Sequence, residues 1–583
     1  MAASNVVTPT LAPAKTTGDN GTLDHPARRR YTAMAELAAD SNATAAEARA
    51  SFDTSVWGDF FINYAPELPL QMSEEMMRER ANQLKKEVSG LFEPCSENNA
   101  VHQMILVDTL QHLSIDHLFK EQIGATLRNI HGSRFSCSSL HEAALKFRLL
   151  REHGLWVSTD ELVSKFRGDD GSFSPEIAND PRGLLSLYNA AHLFIDGEVE
   201  LEEAILSTKH HMESLKSSLK SPLAGQVTRA LKLPLPRTVK RLEALQYMSE
   251  YTDEQTYNPS ILELAKLDFN LLQRLHMKEL KALSEWWNGV FQEIELSFSR
   301  DRVVEVFFWA NGIFHEEEYS RARIMLTKIY QLVTTLDDIY DVRATLDDSR
   351  KLTKALRRWD IKTVSTLPEY LRKFYLMLLR TFQEIEAELE PKERYRVAYT
   401  IEACLLSSNA YLKEAEFVHR NQKPTFEEKL EVSLASFGGK IAAAGILIGM
   451  GGAEAPRDAF DWALEGDSSV MAFSRIGRFL NDIASFNSGK NTKDVASSVE
   501  CYMNQYNVTS EVAIAEIGYL IEDAWKAANQ ALFEHPGLLP AVQRVNNLSV
   551  CMPFSYGGGT DVFTSGKDMK DTVERLFVNP LPL

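Results

Sequence analysis

ILELAKLDFNLLQRLHMKELKALSEWW, from Ile261 to Trp287, repeats apolar residues at steps of three and four, with charged residues between them. That period is the mark of an amphipathic helix. AVHQMILVDTLQHLSIDHLF, from Ala100 to Phe119, carries the same period, as does EEAILSTKHHMESLKSSL further on. Strand-like alternation is not sustained anywhere in the 583 residues. The 21 prolines and 29 glycines gather at breaks such as RGDDGSFSPE, SPLAG, LPLPR and EHPGLLP, which read as loops. No fixed-period repeat marks a solenoid. The expected class is all-α.

At 583 residues the chain is about four times the soft prior for one domain, so a single core is not expected. YTDEQTYNPS, ending at Ser260, is polar, holds a proline and separates two long helical tracts. The expected organisation is a disordered tail over 1–30, an N-terminal helical domain over 31–260 and a C-terminal helical domain over 261–583. The tail has no apolar core of a secretory signal. It is rich in Ala and Thr but has one serine and carries Asp19 and Asp24, unlike a plastid transit peptide. A cytoplasmic location is expected, with plastid as the second choice.

Composition is that of an ordinary soluble globular chain: 44% hydrophobic and 25% charged. A net charge of −18 repels polyanions and argues against nucleic acid as a partner. The five cysteines are scattered with no CxxC pair, which excludes a disulfide scaffold or zinc finger. The longest nearly apolar run, Ile441 to Ala453, falls short of the roughly 20 residues a membrane span needs, so no span is expected.

IYQLVTTLDDIYDVRATLDD places Asp337, Asp338 and Asp341 after an apolar helix, with Asp337 and Asp341 one turn apart on one face. Two carboxylates at that spacing repel unless a cation lies between them, and hard oxygen ligands suit Mg²⁺. Two other acidic pairs are local controls. Asp347-Asp348 has Lys351-Leu352 where the next acid would fall, and Asp169-Asp170 sits in a Gly-flanked loop; both read as solvated turns. RIGRFLNDIASFNSGKNTKD puts Asn481 and Ser485 one turn apart, with Asp482 beside them and Arg478 a turn earlier. These too are hard ligands, with an arginine able to reach a bound phosphate. SFSRDRVVEVFFWANGIF carries Arg300 and Arg302, suited to bidentate phosphate contacts, and Trp309, whose indole face can stabilise a cation. Taken singly, each segment is as well explained by capping, core packing or solvated charge.

In combination they are not. RDR, FFW, LDDIYD, RFLNDIASFNSG and YGGGTDVF, in that order, resemble the plant class I terpene synthases, and most closely the sesquiterpene cyclases that act on farnesyl diphosphate. The likeness runs from SVWGDFF at Ser55–Phe61, through LAKLDFNLLQ, to the C-terminus. It implies a C-terminal class I helical bundle, an N-terminal α-barrel domain and three Mg²⁺ ions, with Mn²⁺ as a substitute. It implies Asp337, Asp341, Asn481 and Ser485 as metal ligands, with Asp338 positioning the cluster. Arg300, Arg302 and Arg478 match diphosphate-binding arginines. Trp309 matches the aromatic that faces the carbocation, and Tyr556, Asp561 and Phe563 the aromatic–acid–aromatic group of the lid. The partner implied is a prenyl diphosphate, met by a monomer or weak homodimer.

Four departures stand out. Gly489 replaces the usual Glu of the second metal motif, one turn beyond Ser485. Phe563 stands where Tyr is common. Arg28-Arg29-Arg30 lie far from Trp57, with only Arg49 near it, so the paired-arginine motif is not intact. No DxDD occurs in the N-terminal half, so protonation-initiated chemistry is not expected. Gly438-Gly439, inside SLASFGGKIAAAGILIGM, predicts either a kink or close helix packing. The rival readings are a monoterpene synthase using geranyl diphosphate, a chain-elongating prenyltransferase, for which a second DDxxD is missing, and a catalytically silent all-α interaction protein.

Overall fold

Helix is the only regular structure among the described residues, as the three- and four-residue apolar period requires, and no strand forms among them. The computed structural model describes residues 55–583 apart from 66–71, 94–98, 134, 164–176, 178, 296–297, 422 and 490–495. The tail over 1–30, Arg28 to Arg30, Arg49, Cys95 and the Asp169-Asp170 loop lie outside the described residues. The four described cysteines are free thiols.

Before Ser260, α1 (Ala100–His112), α2 (Leu140–Glu152), α3 (Pro181–Ala191) and α4 (Val199–Leu215) follow one another, α1 packing on α2, α2 on α3 and α3 on α4. Ser139 caps α2 by accepting from the Glu142 N–H, and Asp180 caps α3 ahead of Pro181. The polar stretch read as a boundary folds around Tyr251, whose hydroxyl donates to the Thr256 carbonyl and accepts from the Asn258 N–H. The stretch quoted first then forms α5 (Pro259–Ile294), the longest helix of the described residues at 36 residues. Asn258 starts it, its Oδ1 accepting from the Ser260 N–H at 2.9 Å, with Pro259 in the first position.

The second half is built from α6 (Val303–Ile313), α7 (Ser320–Asp338), α8 (Tyr395–His419), α9 (Phe426–Ser436), α10 (Gly439–Leu447), α11 (Ser468–Asn487), α12 (Ser510–Glu534) and α13 (Leu539–Tyr556). Five of them close a ring: α6 packs on α7, α7 on α10, α10 on α11, α11 on α13, and α13 returns to α6. VVEVFFWANGI is apolar on almost every side, so α6 has no face to give to water, and ten of its eleven residues are buried. The two halves are joined at α12. Arg237 donates both terminal nitrogens to Glu522 at 2.9 and 2.7 Å, and Asn529 Nδ2 donates to the carbonyls of His192 and Phe194.

Both readings of Gly438-Gly439 hold. Gly438 has φ +86°, left-handed backbone that glycine enters without penalty, and it separates α9 from α10. At Gly439 a Cβ would stand 2.4 Å from Ser474 Oγ and 2.9 Å from the Val470 carbonyl, so α10 meets α11 backbone to backbone. By length and composition Phe426–Leu447 is apolar enough to cross a membrane, which the run beginning at Ile441 did not predict. The break at Gly438 divides this tract, and both pieces pack inside the bundle.

Candidate active site

The aspartate-rich segment ends α7 and then changes its winding. Asp337 and Asp338 are the last residues of α7, whereas Asp341 lies in a π turn over Ile339–Arg343, closed by the Ala344 N–H donating to the Ile339 carbonyl at 2.7 Å. The expected single α-helical face is therefore not what brings Asp337 and Asp341 together; the wider turn does. Tyr340 pins that turn to the interior, its hydroxyl sharing hydrogen bonds with Thr353 and Ser408 at 2.6 and 2.7 Å. Asp338 is buried and fully engaged, accepting from Ser299 Oγ and from the backbone N–H and Nε of Arg300. Arg300 Nη2 also donates to Asp337 at 2.6 Å.

The electrostatics mark Asp337 and Asp341 as a cation's place. Burial pushes the Asp337 carboxyl up to about 6 against the pull of Arg300, with Asp338 and Glu414 adding repulsion. Burial, then Asp337 and then Glu414, drive Asp341 well above the usual carboxylate range. A divalent cation between the two relieves this repulsion. No cluster of three or more His, Cys, Asp or Glu suited to a metal occurs among the described residues. The carboxylate oxygens of Asp337 and Asp341 suit a hard divalent cation that completes its shell with water and phosphate.

On α11, Arg478 is the link to the aspartates. After the cost of burial, its charge is sustained by Asp482, Glu414 and Asp337. Its Nη1 donates to Asn481 Oδ1, and Asn481 Nδ2 in turn donates to Asp561, both at 3.4 Å. Asp482 turns away from Asn481 and Ser485: its Oδ2 accepts from the Ser498 N–H at 2.8 Å and the Ser498 hydroxyl, anchoring the next helix. Gly489 does not continue the stripe as expected. The helix ends at Asn487, and Gly489 follows with φ +66° and open space where a Cβ would be.

Aromatic rings form the other side. Trp309 donates its indole N–H to Ser555 Oγ at 2.9 Å, stacks on Phe563 with centroids 4.3 Å apart, and meets Tyr330 edge-on at 6.1 Å. Tyr556 is buried; its hydroxyl is driven well above its usual value by burial first and then Asp561, while Arg300 and Arg478 draw it down. Asp561 caps the short Val562–Ser565 helix through the Thr564 N–H at 2.8 Å. Arg302 is placed differently from Arg300. It is 1% exposed and its Nη2 donates to the Thr564 carbonyl, so in this conformation it holds the C-terminal segment and not the aspartates.

The comparisons agree with this geometry. Residues 290–527 match the model of the terpene synthase family, metal binding domain, and residues 56–231 that of the terpene synthase, N-terminal domain. The tau-cadinol synthase and the alpha-copaene synthase of Zea mays are each 49% identical over 91% of this chain, covering 98% and 99% of their own lengths. The chain belongs to the terpene synthase family. A solved isoprene synthase from Populus x canescens, in complex with three Mg²⁺ ions and dimethylallyl-S-thiolodiphosphate, superposes with a TM-score of 0.80 at 30% identity, covering 87% of this chain and 98% of that one.

Sequence reasoning missed three residues of this terpene synthase. Glu414 on α8 faces Asp337, Asp341 and Arg478, and is held by Lys429 at 3.4 Å. Tyr330, one helix from Trp309, has a buried hydroxyl without a hydrogen-bond partner. Glu305, midway between Arg302 and Trp309, is buried likewise. A lone glutamate or tyrosine in a helical tract gives no signal; RxRxxExxxW, which sets Glu305 on the otherwise apolar start of α6 just after the two arginines, was the one visible hint.

Proposed function

We propose that the protein is a sesquiterpene synthase that ionises and cyclises farnesyl diphosphate with Mg²⁺, releasing diphosphate. The observation that carries this reading is the approach of Asp337 to Arg478 at one end of the ring, with the Trp309–Phe563 stack beside it. The relatives support the chain length: cadinol and copaene are both products of fifteen carbons. Asp337, Asp341, Asn481 and Ser485 would hold the metal, and Asp338 would fix Arg300 against them. What Mg²⁺ supplies when bound is neutralisation of the leaving diphosphate.

The chain's own residues do the rest. Arg300 and Arg478 take up the charge the diphosphate gains as the allylic C–O bond breaks and its electron pair departs. Arg302 keeps the C-terminal segment seated over the opening. Trp309, Tyr330 and Phe563 supply the aromatic wall that stabilises the cation and keeps water from it. Incubation of the full chain with Mg²⁺ and geranyl, farnesyl or geranylgeranyl diphosphate, with products identified by mass spectrometry, tests this. Cyclic C15 products from farnesyl diphosphate are expected; a preference for either other substrate, or product formation in chelator, overturns it. We place the enzyme in the cytosol on the composition of residues 1–30. Plastid import of a fluorescent fusion of the first 50 residues would reverse that placement.

A further inference from the structure

Arg302, Glu305 and Trp309, at the start of α6 and one turn apart along it, each meet the C-terminal segment. Arg302 holds the Thr564 carbonyl and Trp309 holds Ser555 and Phe563. Glu305 reaches the turn at Gly566, where a Cβ would stand 2.7 Å from Glu305 Oε1 and 3.7 Å from Val56 Cγ2. Its side chain therefore lies where α6, the C-terminal turn and the beginning of the described chain come together. Glu305 is 1% exposed, and neither carboxylate oxygen has a hydrogen-bond partner. The indole nitrogen of Trp57, 5% exposed, also lacks one, although its N–H is close enough to draw the Glu305 carboxyl down. A buried acceptor and a buried donor, unpaired and side by side, form a contact that a small shift completes.

We propose that Glu305 is a positioning residue that seats the stretch around Trp57 and the Asp561–Gly566 segment on α6 as one unit, its carboxyl taking the Trp57 N–H on one side and bearing on the Gly566 turn on the other. The proposal rests on the terpene synthase reading of the site, where the substrate must be enclosed. The groups facing the carboxyl are few. Burial pushes it up to about 7, Arg302 and Trp57 draw it down, and Asp301 pushes it up. A carboxyl raised in this way contributes fully below its unfolded value and loses that contribution as pH rises to about 7, where the ionised form requires water at the junction.

The test compares the full-length parent with Glu305→Gln and Glu305→Ala. Amide hydrogen exchange over residues 56–63 and 562–566 is followed with Mg²⁺ and inorganic diphosphate across pH 6–9, corrected for intrinsic exchange, beside steady-state turnover. In the parent, exchange at both stretches rises through pH 7. Glu305→Ala raises exchange about tenfold at both stretches together, at every pH below 7. Glu305→Gln keeps the shape, cannot ionise, and retains protection without the pH response; its kcat stays level as pH rises from 6 to 7 while KM is unchanged. Exchange that rises at one stretch only, or a Gln variant with the parent's pH response, overturns the proposal. The exchange readout does not use turnover, so an enzyme inactive on farnesyl diphosphate would refute the proposed function and leave this inference standing.

Discussion

Arg300 and Asp338 grip each other at two points, the Arg300 backbone N–H donating to Asp338 Oδ2 at 2.7 Å and its Nε to Oδ1 at 2.8 Å. Asp338 is thereby committed to the arginine, and of three neighbouring aspartates only Asp337 and Asp341 keep oxygens for a cation. The two-point contact also sets the plane of the guanidinium, whose Nη2 reaches Asp337. A charged donor fixed in advance costs no reorganisation when the substrate's charge develops.

Asp341→Ala is therefore expected to lower the rate of diphosphate release at least ~100-fold, with the helical circular-dichroism spectrum unchanged. Asp347→Ala is the matched control. Its carboxylate is 75% exposed and paired only with Lys351, a surface arrangement at the start of a helix. Equal losses in the two variants would remove Asp341 from the site.

Acid should loosen the junction between the halves. Burial pushes His315 down to about 3, with Glu316 pulling the other way, and burial holds His276 well below its usual value. His276 Nε2 contacts the His315 carbonyl, and His315 Nε2 contacts Ser114 Oγ across to the N-terminal half. A histidine kept neutral by the fold contributes fully above its unfolded value and loses that contribution as pH falls, because the unfolded chain takes the proton. His315 alone should cost about 2 kcal/mol by pH 5. Chemical denaturation at pH 7 and pH 5 measures the difference. His315→Asn should reduce it by that amount, and an unchanged slope would contradict the assignment.

Gly439→Ala probes the contact between α10 and α11. The added methyl meets Ser474 Oγ, which can rotate away, and the Val470 carbonyl, which cannot withdraw without moving the helix. A loss of about 1–3 kcal/mol is expected. A melting temperature equal to the parent's would mean the helices separate freely.

At Gly489 the structure replaces the expectation of a missing ligand. With φ +66° beyond the end of α11, a glutamate there is strained by about 1 kcal/mol and does not extend the Asn481–Ser485 stripe. Gly489→Glu should lower the melting temperature and leave the Mg²⁺ concentration for half-maximal rate unchanged. A lower metal requirement would show that the last turn of α11 rewinds.

Why some of the site was legible and some was not follows from how each residue acts. Asp337 and Asp341 are close in sequence, so their repulsion could be read from spacing, and Lys351 gave away Asp347-Asp348 as a surface pair. Asn481 and Arg478 were legible for the same local reason. Glu414, Tyr330 and Glu305 act through neighbours brought by other helices, and of the three only Glu305, set between Arg302 and Trp309, has a local mark. Asp482 and Asn481 are adjacent, yet one faces Ser498 and the other Asp561, a choice made by the packing of the following helix. The π turn was invisible because its cause is the buried anchoring of Tyr340 to Thr353 and Ser408.

The closing of the ring by α13 has a consequence for how the enzyme is made. Trp309 and Ser555 are 246 positions apart, so α6 leaves the ribosome long before the helix that covers it exists. Until then the side of α6 that α13 covers has no permanent neighbour, and the nascent chain must be shielded or held in provisional contacts. Synthesis slowed over the last segment, or a stop codon before Leu539, should yield chains that carry Asp337, Asp338 and Asp341 and still collect in chaperone complexes and aggregates.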